Sequence, residues 1–77
     1  MSNKQQIIKW ARIQTGMVRI ARNSPGNPEK LVRLALAGAD KLTDVSRTLT
    51  DDREAAMAWR AGATIEKMVH STFGYRL

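Results

Sequence analysis

Residues 24–28 read Ser-Pro-Gly-Asn-Pro, and their reading decides the fold. Two prolines around a glycine end any helix that reaches them. They also prepare the next one. Asn27 is a good N-cap, Pro28 suits the first helical position, and Glu29 places a carboxylate in the first turn, where it complements the helix dipole. A second boundary lies at Thr48-Leu49-Thr50-Asp51-Asp52. Thr48 or Thr50 can cap there, and Asp51 and Asp52 suit a helix start. Gly74 can end the last helix as its C′ residue, leaving Tyr75–Leu77 as a short tail. Three helices are predicted, near residues 4–22, 28–48 and 51–73, in a single domain spanning 1–77. No stretch alternates with a period of two, so no strand is expected.

At about 100° per residue, each segment carries one apolar face. Helix 1 gathers Ile7, Trp10, Ala11, Ile13, Met17, Val18, Ile20 and Ala21, with Ile8 a lone misfit on the polar side. Helix 2 has a wide apolar arc that includes Leu31, Val32, Leu34, Ala35, Ala39, Leu42 and Val45. Helix 3 gathers Met57, Ala58, Ala61, Ile65, Met68, Val69 and Phe73, with Trp59 at the edge. Short connections make sequential helices antiparallel neighbours, so the expected fold is an all-α antiparallel three-helix bundle. Much of the core is Ala and Gly, which permits close packing but buries little apolar area. A 77-residue chain with such a core is marginal alone, so a homo-oligomer or a hetero-complex is expected.

Composition removes several classes of function. The chain has no Cys, hence no disulfide framework and no thiolate metal site or nucleophile. Its 43% hydrophobic and 26% charged residues are ordinary for a folded domain. Residues 1–16 lack the apolar run of a secretory signal, and no stretch approaches the roughly 20 apolar residues of a membrane helix. A cytoplasmic protein without membrane contact is the simplest expectation. His70 is the only His, and Glu66 four residues earlier reads as a surface pair on one helix face. A zinc site wants three or four ligands. Asp51, Asp52 and Glu54 read as helix-start electrostatics rather than a metal cluster. No phosphate-binding glycine loop is present. No catalytic residue, metal or cofactor is therefore assigned, and the chain reads as a non-enzyme.

Charge is the informative feature. The formal net charge is +6. Residues 1–28 carry five bases and no acid, whereas the remainder carries eight bases and seven acids. Lys9, Arg12 and Arg19 on helix 1 have no acid at i±3 or i±4. Arg53, Arg60 and Lys67 on helix 3 have none either, and their spacing of seven lines them along the axis at roughly 10 Å intervals. These six residues are the candidate contacts to an anionic partner, nucleic acid or an acidic protein surface. The competing reading is a solvated face whose partners come from neighbouring helices. A helix-turn-helix would need a break at Ala39, in a stretch that otherwise reads as one helix. Burial of helix 1 in its own bundle is favoured over a membrane-surface role.

The expected function is thus a small non-catalytic binding or regulatory module whose basic helical face engages an anion. The alternative is an adaptor or inhibitor that docks on one protein through an apolar patch, with Ile8 and Trp59 as interface candidates. Trp10 is expected in the core.

Overall fold

The structure, a computed structural model, describes residues 2–23 and 29–74. It is an all-α three-helix bundle: α1 is Asn3–Asn23, α2 is Glu29–Thr48 and α3 is Asp52–Phe73. All three helices pack against one another. The expected caps Asn27 and Pro28, and the tail Tyr75–Leu77, lie outside the described residues.

Local chemistry sets the described ends. Ser2 and Gln5 form a capping box: the Gln5 backbone N–H donates to Ser2 Oγ, and the Ser2 N–H donates to Gln5 Oε1, each at 3.2 Å. This starts α1 slightly before the expected position; the Ser-x-x-Gln spacing carried that signal. At α3 neither Thr48 nor Thr50 is the cap. Asp51 is, accepting from the N–H groups of Arg53 (2.8 Å) and Glu54 (3.1 Å). Gly74 ends α3 as expected, in the left-handed region at φ 69°, its N–H donating to the His70 carbonyl. The break that a helix-turn-helix needs is absent, because α2 runs continuously through a buried Ala39.

The core is built from small and β-branched side chains. Ile65, Val18, Val32 and Val69 are its largest fully buried members, with Ala21, Ala35, Ala39 and Ala58 between them. Small residues bring the backbones close. Where α3 meets α2, a Cβ on Gly62 would sit 2.8 Å from the Ala39 carbonyl oxygen and 2.9 Å from Thr43 Oγ1. Where α1 meets α2, the buried Gln14 amide fills the space a Gly38 Cβ would take, 2.1 Å from Gln14 Cδ. The Trp10 indole N–H donates to the Gly38 carbonyl at 3.3 Å.

This second seam corrects the reading of helix 1. The buried stripe of α1 is Ile7, Gln14, Val18 and Ala21. Trp10, Ile13 and Ile20, all expected inside, are 38%, 42% and 61% exposed. At ~100° per residue the helix is turned by about 40° from the position that its apolar residues alone prefer. The glycine at position 38 accounts for this: it opens room for a Gln amide against the α2 backbone and brings the Trp10 indole within reach of a carbonyl. Leu34, included in the expected α2 arc, is likewise 48% exposed.

Candidate binding surfaces

The three helices place the six candidate cations on two adjoining outer surfaces. On α1, Trp10 and Gln14 mark the side that meets α2. Counting about 100° per residue, Arg12 and Arg19 lie roughly 130–150° from the buried stripe on the opposite side, towards α3, and Lys9 faces outward. On α3, Gly62 marks the side that meets α2. Arg53, Arg60 and Lys67 stand about opposite the buried residues Ala58, Ile65 and Val69. All six cations are exposed. The Asn3 side-chain amide donates to Glu54 Oε1 at 3.3 Å, which marks the register of α1 beside α3. Carried along two parallel helices, that offset sets Arg60 level with Lys9, and Lys67 between Arg12 and Arg19. The two rows are thus staggered along the bundle axis, and the α3 row faces directly away from the core.

Among the described residues, no partner from a neighbouring helix neutralises these rows. Among the described residues the ion pairs are Arg33–Glu29 and Arg47–Asp44, both within α2. None involves Lys9, Arg12, Arg19, Arg53, Arg60 or Lys67. Between the cations of α1 sits Gly16, whose missing Cβ would meet nothing within 4 Å. Ala56, Ala63 and Thr64 lie between those of α3. Both rows are therefore long flexible cations over a low surface, which lets an extended partner approach closely.

Ile8 and Trp59 are not brought together. Ile8 is half-buried on the α3 side of α1, and so does not stand free in the polar face. Trp59 is 57% exposed and lies on the α2 side of α3, one turn before Gly62. They belong to different surfaces and form no common patch.

The sequence reading missed an apolar cleft of the surface. A cleft of about 550 Å³ opens between the first half of α1 and the second half of α2. Ile7, Leu42, Val45 and Leu49 line it, with Trp10 and Ile13 also in its wall and Lys9 and Lys41 among its polar members. Four of the five exposed large hydrophobics, Trp10, Ile13, Ile20 and Leu34, follow this α1–α2 seam. The signal that could have found the cleft was the pairing of Gln14 with Gly38, which is tertiary and leaves no period in the sequence.

Glu66 and His70 share no hydrogen bond or ion pair among the described residues, and no group of three or more His, Asp or Glu converges there. No helix of the described residues is long and apolar enough to cross a membrane. No protein-family model, curated protein or solved structure matches the chain.

Proposed function

We propose that this chain is a cytoplasmic, non-catalytic binding module that docks on the backbone of a nucleic acid through the outward-facing basic rows of α1 and α3. The observation that carries the reading is the pair of cationic rows, exposed and without ion pairs among the described residues. Unpaired exposed cations gain attraction from an anion without first breaking an internal bond. Within each row the step between Arg12 and Arg19, or between Arg53, Arg60 and Lys67, is roughly 10 Å. A duplex presents a charge about every 1.7 Å of axis, so such a row meets phosphates in any register.

Binding of this kind is driven by counterion release and carries little sequence preference. The aromatic platforms that stack single-stranded bases are sparse, because the chain has one Phe, one Tyr and two Trp. Arg12 and Arg19 anchor the α1 row, and Arg53, Arg60 and Lys67 the α3 row. Mobility-shift titrations of random-sequence DNA and RNA at two salt concentrations test the reading. Binding at about 50 mM salt that weakens steeply at higher salt supports it. Absence of binding at about 50 mM salt, where charge-driven contacts are strongest, overturns it.

A further inference from the structure

We infer that the α1–α2 cleft is a docking groove for an acidic amphipathic helix of another protein. It shares Lys9 with the cationic row of α1 and no residue with the row of α3. From Asn3 to Ile13 the α1 wall spans ten residue steps, or about 15 Å, long enough for two to three turns of a bound helix. Such a helix presents apolar anchors at i, i+3 or i+4, and i+7. The groove offers matching apolar contacts: Ile7, Leu42, Val45 and Leu49 line it, and the Trp10 ring is held in its wall by the bond to the Gly38 carbonyl.

Charge selects the occupant. The charged residues lining the groove are Lys9 from α1 and Lys41 from α2, one from each wall, and no carboxylate lines it. Both lysines are exposed and neither forms an ion pair among the described residues. A helix with Glu or Asp on both edges of its apolar stripe meets one ammonium on each side. A second copy of this chain fits poorly, since a symmetric contact sets the same lysines against themselves and joins two chains of formal charge +6. The expected assembly is thus a hetero-complex rather than a homo-oligomer.

The test uses the full chain carrying Trp59→Phe, which leaves Trp10 as the only tryptophan. The probe is a synthetic helical peptide with Leu at i, i+4 and i+7 flanked by Glu, alongside the same peptide with Lys in place of each Glu. The acidic peptide should shift Trp10 emission to the blue and saturate, and the basic peptide should not. Lys9→Glu with Lys41→Glu should weaken the acidic peptide about tenfold and should admit the basic one. Ile13→Asp, at a 42% exposed position, should abolish the shift with the helical circular dichroism unchanged. Arg60→Glu with Lys67→Glu, on α3 away from the groove, should leave peptide binding unaltered, which separates this result from the fate of the nucleic-acid reading. The inference is overturned by no blue shift with the acidic peptide, or by equal binding of both peptides. It is also overturned if peptide binding is lost with the Arg60 and Lys67 reversals, or if sedimentation shows a self-dimer that Ile13→Asp dissociates.

Discussion

One methyl group added to a helix of this protein should have unequal effects at two glycines. At Gly62 the new Cβ falls 2.8 Å from the Ala39 carbonyl oxygen, 2.9 Å from Thr43 Oγ1 and 3.6 Å from Leu42 Cβ. The hydroxyl can rotate away, giving up its bond to the same carbonyl (3.1 Å). The carbonyl belongs to the α2 backbone and cannot, so α2 and α3 must separate. At Gly16 the Cβ meets nothing within 4 Å. Both glycines are inside helices, so replacement by Ala gains about 0.8–1.0 kcal/mol of helix propensity at each. Overpacking at Gly62 costs roughly 1–3 kcal/mol. Gly16→Ala should therefore stabilise by about 1 kcal/mol. Gly62→Ala should range from neutral to about 2 kcal/mol destabilising once the propensity gain is subtracted. The propensity term is common to both and cancels in their difference, which isolates the contact. Thermal unfolding by circular dichroism should separate the two melting temperatures by roughly 5–20 °C, at about 4–8 °C per kcal/mol for a domain of this size. Thr43→Ala in the Gly62→Ala background should restore part of the loss, because it removes the hydroxyl contact and leaves the carbonyl. Equal stabilisation by the two alanines would refute the close approach of α2 and α3.

Further predictions concern the α1–α2 seam and the α3 cap. Gln14 Oε1 is buried without a hydrogen-bond partner, so Gln14→Met, similar in shape, should raise stability by about 1 kcal/mol in urea titration. Gly38→Ala alone should destabilise by driving its Cβ into the Gln14 amide, and Gln14→Ala should rescue it. The coupling read from that double-mutant cycle should be on the order of 1 kcal/mol or more. Asp51→Ala removes the acceptor for two backbone N–H groups and should cost about 1 kcal/mol in thermal unfolding, while Asp51→Asn should cost little.

The chain's punctuation and its α3 face are legible because they are written locally. Asp51 and Asp52 mark a helix start and Gly74 a helix end through chemistry that acts within a few residues. Ala58, Ile65 and Val69 keep a helical period that only one face can satisfy. The α1 face is written elsewhere. Its isoleucines and Trp10 draw the expected stripe to one side, but the partner surface at Gly38 selects Gln14, and no count along α1 contains that information. The cationic residues are legible as unpaired within their own helices. Their freedom from ion pairs across helices depends on where the acids fall: Asp40 and Asp44 are on the outer side of α2, away from both rows, and Glu54 serves Asn3 instead. The axial stagger of the two rows follows from the α1–α3 register, which the Asn3–Glu54 bond marks and sequence spacing cannot.

The salt dependence of nucleic-acid binding tests the central claim most directly. If all six cations neutralise phosphates, the log–log slope against salt should be about 4–5, at roughly 0.7–0.9 for each contact. Arg12→Gln with Arg19→Gln should lower that slope by about 1.4–1.8, and Arg60→Gln with Lys67→Gln should lower it by a similar amount on a different helix. Both pairs are exposed, so melting temperatures should hold. A wild-type slope near zero, or one that neither double variant reduces, would contradict the account.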